Sequence, residues 1–175
     1  GCWLKFEPVA PPRLIITRGD EIFLSGGALL ELMTAVLATG SAFRFKARGW
    51  SMTPFIRDGD VITIVPITMD CCRLGEVVAF THPETGKLVV HRIIGVNGSH
   101  YLIQGDSAVD QSDGIISHDQ LLGKVSRVER DGRRVRVVIG AERMVIAWLT
   151  RKGYLARLRQ YAVFLISKFK RIIYR

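Results

Sequence analysis

The chain has 175 residues, 48% hydrophobic and 23% charged, which suits one buried core and excludes wholesale disorder. Its net charge of +9 is uneven: residues 141–175 hold nine Lys/Arg against the single acid Glu142, whereas residues 1–140 hold 16 basic and 15 acidic side chains. The body is nearly neutral and the tail carries the charge, which directs that tail to a membrane surface or another acidic partner.

Residues 1–20 are proline-rich around Leu14-Ile15-Ile16 and read as an arm. Residues 27–39 read as a helix, because Leu29, Leu30, Leu32, Met33, Val36 and Leu37 recur at helical spacing and Gly40 stands at a stop position. From Phe43 the pattern changes to that of strands. Phe43, Phe45 and Ala47 alternate with Arg44, Lys46 and Arg48, and Val61 to Val65 ends at Pro66. Glu76 to Phe80 leads through a turn at Pro83-Glu84-Thr85-Gly86 into a returning strand, Leu88 to Gly95. Asn97-Gly98 and Asp131-Gly132 are hairpin signals, the second inside Val125 to Val138. Short strands without intervening helices predict a mainly β, coiled domain with helical N- and C-terminal segments. The divisions are 1–42 (arm and helix), 43–140 (β-rich core) and 141–175 (basic amphipathic helical tail). In that tail Tyr154, Leu155, Leu158, Tyr161, Ala162 and Leu165 open an apolar stripe with a basic flank.

No uninterrupted run of about 18 apolar residues and no secretory pattern is present, so neither a transmembrane helix nor a signal peptide is expected. The expected location is cytoplasmic or peripheral to a membrane. Cys2, Cys71 and Cys72 suggest no disulfide framework. A metal site from Cys71, Cys72, His82 and His91 lacks the usual Cys-x-x-Cys spacing, so no metal is expected.

The chemistry concentrates in Gly49-Trp50-Ser51-Met52-Thr53-Pro54 and in Val89-Val90-His91-Arg92. A serine hydroxyl needs a base to act as a nucleophile near neutral pH, and an imidazole is suited to that task. The plainer reading makes Ser51 a turn cap and His91 a strand residue like its neighbours. A carboxylate on the far ring nitrogen would fix the tautomer, and Asp106 and Asp110 are both candidates.

Taken in order, Ser51-Met52-x-Pro54, Gly59-Asp60, Gly75 to Phe80, His91-Arg92-Ile93-Ile94, Gly105-Asp106 and Leu122 to Val125 resemble the signal peptidase I family. The LexA-type self-cleaving repressors share that core, and the resemblance covers about residues 44–126. Most bacterial members carry a lysine base where this chain has His91, so the site is similar to the Ser–His branch of endoplasmic-reticulum-type and archaeal-type signal peptidases. By that resemblance Asp110 is the partner of His91, and Asp106 is the box aspartate that shapes the site. Gly49 stands where bacterial relatives often have an oxyanion-hole serine, and Trp50 where a small residue is usual. The oxyanion would then rest mainly on the Ser51 N–H, with Trp50 narrowing the pocket.

The resemblance implies a serine endopeptidase that cuts a precursor or leader peptide without a cofactor. The peptide would be held as an added strand, in a groove formed by Gly49, Trp50, Met52, Pro54, Val77, Val78 and Phe80. A non-cleaving peptide-binding or membrane-surface adaptor is the alternative, followed by a self-cleaving LexA-like regulator. Residues 150–175 are expected to lie on a membrane surface. Nucleic acid is not an expected partner, because the positive charge flanks a wide apolar face.

Overall fold

A segment whose apolar side chains recur at every second residue buries one face only when it is extended. Most of residues 43–135 obeys that rule. A computed structural model describes residues 15–16, 22–23, 25–67, 72–108, 112–135, 142–155 and 157–158. The elements are β1 (Ile15–Ile16), β2 (Ile22–Phe23), α1 (Gly26–Ala38), β3 (Phe43–Lys46), β4 (Val61–Pro66), β5 (Val77–Thr81) and β6 (Leu88–Asn97). They continue with β7 (His100–Gln104), β8 (Ile115–Ser117), a 3-10 turn (His118–Gln120), β9 (Leu121–Arg130), β10 (Arg133–Val135) and α2 (Glu142–Arg151). Strands β1 and β2 pair with each other. The remaining eight form one antiparallel sheet ordered β3-β4-β9-β5-β6-β7-β8, with β10 beside β9. The fold is mainly β, as expected from the sequence.

Register shifts at Thr63/Ile64, Ala79/Phe80 and Ile93/Gly95 add local twist and coil the sheet. Strand β5 lies at the centre, paired to β9 and β6 along its two edges. Its side chains divide between two cores. Val77 and Ala79 join Met33, Leu37, Met52, Ile56, Ile62, Ile64 and Val128, whereas Val78 and Phe80 join Ile93, Tyr101, Ile103 and Ile116.

Helix α1 begins at Ser25, whose hydroxyl accepts from Ala28 N, and ends before Gly40 at φ +80°. It seals the first core with Met33 and Leu37. Gly123 permits the close approach there, since a Cβ on it would collide with Ile64 Cγ2 and stand 3.2 Å from Leu37 Cδ1. Cutting Met33 or Leu37 to alanine would cost about 2–5 kcal/mol. Helix α1 shares a core with β3, β4 and β5.

Both hairpin signals are turns: Gly98 has φ +57°, and Asp131 and Gly132 have φ +50° and +73°. Strand β8 was not anticipated; it is three residues long and follows a polar loop. Helix α2 buries Ile146, Ala147 and Thr150 against the domain. A Cβ on Gly75 would overlap the Arg143 carbonyl, so that glycine lets α2 settle on the sheet. The helical tail expected over 141–175 is interrupted by a turn at Lys152-Gly153, and its stripe beyond Leu158 lies outside the described residues. The arm at residues 1–20 is outside them too, apart from β1. Among the described residues, no helix is long and apolar enough to cross a membrane.

Candidate active site

Ser51 follows Gly49, whose φ of +100° turns the chain sharply out of the β3 end. Asp58 accepts from Gly49 N at 2.9 Å, and Ala47 N donates to the Asp60 carbonyl at 2.7 Å, which closes the loop at its base. The Asp60 carboxylate, 2% exposed, accepts from Arg130 Nε at 2.8 Å and Nη2 at 2.7 Å, and from Arg57 N at 2.8 Å. Burial pushes the Asp60 pKa up, but the hydrogen bonds and charges of Arg130 and Arg57 outweigh it and hold the group below 3.8. Ser51 is exposed on this clamped turn, while the neighbouring Met52 and Ile56 are buried in the first core.

His91 sits on β6, opposite Val78 of β5. Its Nδ1 lies 2.6 Å from Asp113 Oδ2, and both side chains are mostly buried. A carboxylate accepts only, so Nδ1 carries a proton, and in the neutral ring the lone pair is on Nε2. That Nε2 is turned towards the serine turn. A Cβ on Gly105 would stand 2.9 Å from the Ser51 carbonyl oxygen and 3.0 Å from His91 Nε2, so both atoms border the space that the missing side chain leaves. Ser107 braces the turn as well, with its N–H on the Ser51 carbonyl at 2.8 Å and its hydroxyl on the Trp50 carbonyl at 2.8 Å.

Behind this arrangement lies Arg92, which is fully buried and donates from Nε and Nη2 to the two Asp106 oxygens at 2.8 and 2.7 Å. Arg92 Nη1 reaches the Gly75 carbonyl at 2.8 Å, and its guanidinium stacks 5.1 Å from the Phe55 ring centroid. Thr150 of α2 donates its hydroxyl to Asp106 Oδ1 at 2.9 Å. Arg92 follows His91, Asp106 follows Gly105 and Phe55 belongs to the serine turn. One ion pair therefore ties together the three segments that meet at the site.

A groove of about 840 Å³ opens in front of it. Its walls are the end of β3 from Phe45 to Gly49, the start of β6 from Leu88 to His91, and the first turn of α1; Ser51, Met52 and His91 all face into it. The arrangement can present a hydroxyl, an imidazole and a supporting carboxylate to an extended chain.

The family model described as Peptidase S24-like matches residues 19–126. The chain belongs to the peptidase S24-like family. This places it among the LexA- and signal-peptidase-I-like serine peptidases. No curated protein matches the chain. The S24-like region runs from before α1 into β9 and contains Ser51, His91, Asp106 and Asp113, whereas Thr150 and α2 lie beyond it.

The structure sorts the expected site residues. Ser51, His91, Gly49 and Met52 meet at the groove. Asp106 is not the carboxylate on His91; its oxygens are taken by Arg92 and Thr150. Asp110 lies outside the described residues. The partner of His91 is Asp113, which the sequence reading missed because Asp113-Gly114 looks like an ordinary turn dipeptide. Val77, Val78 and Phe80 are corrected to core positions, since a central strand covered on both faces has nothing left to offer a ligand. Trp50, 58% exposed, and Pro54, also exposed, do not line the groove, so Trp50 does not narrow it.

Proposed function

We propose that this S24-like protein is a serine endopeptidase that cuts a precursor or leader peptide held extended in the groove. Ser51 Oγ attacks the scissile carbonyl carbon while its proton passes to His91 Nε2. Asp113 holds the imidazolium that forms, and the Ser51 N–H faces the developing oxyanion. His91 then gives the proton to the leaving amine, and water releases the acyl group by the same route in reverse. The observation that carries this reading is that His91 Nε2 and the Ser51 carbonyl oxygen both come within 3.0 Å of the point where a Gly105 Cβ would stand, with Asp113 on the other ring nitrogen.

Sheet edges support the extended pose. Strand β3 ends the sheet, with β4 as its partner, and β7 begins to pair with β6 only at Arg92. Among the described residues, one backbone edge is therefore open on each wall, at β3 and at Leu88–His91, and a substrate strand would bond to it. The test is digestion of a peptide library read by mass spectrometry. Ser51→Ala and His91→Ala should each remove every cleavage that the unaltered protein makes, with unchanged circular dichroism. Cleavage surviving in either variant contradicts the proposal.

A self-processing variant of this reading has one observation in its favour: Gly26 and Gly27, at the start of α1, line the groove themselves. In that case a truncated product appears at a rate independent of protein concentration and is missing from Ser51→Ala.

A further inference from the structure

Helix α2 has two apolar faces, and only one is used by the fold. Ile146, Ala147 and Thr150 are buried against the domain. On the other side Met144, Val145 and Trp148 are 56%, 58% and 54% exposed, and Tyr154 and Leu158 continue the patch at 44% and 65%. Elsewhere among the described residues, large exposed apolar side chains are scattered singly, at Leu32, Trp50, Val96 and Ile115. The Trp148 and Tyr154 rings touch, with centroids 5.8 Å apart, which gathers two amphipathic aromatics at one spot. Exposed Arg151, Lys152 and Arg157 adjoin them, and Glu142 is the single acid of residues 141–175.

An exposed apolar patch of this kind needs an occupant, and charge selects which one. In the sequence, residues 159–175 add Arg159, Lys168, Lys170, Arg171 and Arg175 without an acid, so this end of the chain carries positive charge with almost nothing to offset it. A second copy of the same face is repelled for that reason. What complements apolar and aromatic groups beside uncompensated cations is a surface both greasy and negative. We propose that the outer face of α2 and the residues just after it, through Val145, Trp148 and Tyr154 with Arg151, Lys152 and Arg157, seat on an anionic lipid bilayer. Their aromatic rings lie at the headgroup level, and their cations meet lipid phosphates. The inner face meanwhile keeps Thr150 on Asp106, so the element that lies on the membrane is bonded directly to the frame of the active site.

The test is flotation of the full chain with vesicles of phosphatidylglycerol and phosphatidylcholine in equal parts, against vesicles of phosphatidylcholine alone. The protein should float with the first and not the second, and should be released at high salt. Two variants separate the contributions, Val145→Ser/Trp148→Ser and Arg151→Gln/Lys152→Gln/Arg157→Gln. Each alters exposed side chains only, and each should raise the lipid concentration for half-binding about tenfold. Both should cut a soluble peptide as the unaltered protein does, so loss of the membrane reading leaves the peptidase reading standing, and the reverse. Equal flotation of either variant, or equal binding to uncharged vesicles, overturns the proposal. So does absence of flotation, and a dimer that Val145→Ser/Trp148→Ser dissolves would then assign the face to a second copy of the chain.

Discussion

Asp113 Oδ2 stands 2.6 Å from His91 Nδ1, although the two residues are 22 positions apart in the chain. Strand β6 presents the imidazole. The backbone of Asp113 is fastened to β7 by its N–H on the Ile103 carbonyl at 2.9 Å, so the carboxylate is aimed by main-chain bonds as well as by its own. Asp113→Asn should therefore keep the fold and lower kcat by about 10³-fold or more, because an amide no longer selects the tautomer with a free Nε2 lone pair. Steady-state cleavage of the best library peptide measures this. A rate within a few-fold of the unaltered protein would remove Asp113 from the mechanism.

Gly105 gives a second, steric test. Its missing side chain is what lets the Ser51 carbonyl and His91 Nε2 both approach its Cα this closely. Gly105→Ala should push imidazole and serine turn apart and lower kcat by about 10²-fold, with KM for the peptide little changed, since the groove walls at β3 and β6 are untouched. Full activity in Gly105→Ala would mean that the base and the nucleophile do not meet across this residue.

The buried Arg92–Asp106 pair should be costly to break from one side. Asp106→Asn keeps the shape but leaves the Arg92 guanidinium without a counter-charge in a site sealed from water, a loss of about 3–5 kcal/mol. Urea unfolding read by far-ultraviolet circular dichroism gives the number. A loss below about 1 kcal/mol would show that water or a neighbouring group compensates the arginine.

Asp60 should govern part of the acid sensitivity. Its folded pKa lies below 3.8, so its stabilisation is fully present above that unfolded value and disappears as pH falls through the lower folded one. Asp60→Asn should lower the melting temperature at neutral pH, where Arg130 loses its partner. It should also make stability fall less steeply than in the unaltered protein between about pH 5 and pH 3. Parallel melting-temperature curves for the two proteins over that range would rule this out.

Much of the architecture was legible because it is local. Period-two alternation in β3, the apolar runs of β4 and β5, the Asn97-Gly98 and Asp131-Gly132 turns and the 3.6-residue stripe of α1 each follow from short-range preferences. Ser51 and His91 stand out as candidates for a similar reason: few residue types can serve as an activated nucleophile or as its base. Strand β8 escaped notice since three residues carry too little pattern to outweigh the polar loop before them.

What the chain alone could not determine is which groups meet. Three aspartates, Asp106, Asp110 and Asp113, follow β7 within a few residues of one another, and hydrogen-bonding preference does not distinguish them. Tertiary packing separates Asp106 from Asp113, because the buried Arg92 holds Asp106 while Asp113 meets the His91 ring. The same holds for the groove: Val77, Val78 and Phe80 are apolar enough to line it, yet pairing on both edges and burial on both faces commits them to the core. Sequence determines which side chains are capable of a task, through chemistry that each residue carries with it. Only the folded sheet decides which of them stand next to each other, because that depends on contacts between segments far apart in the chain.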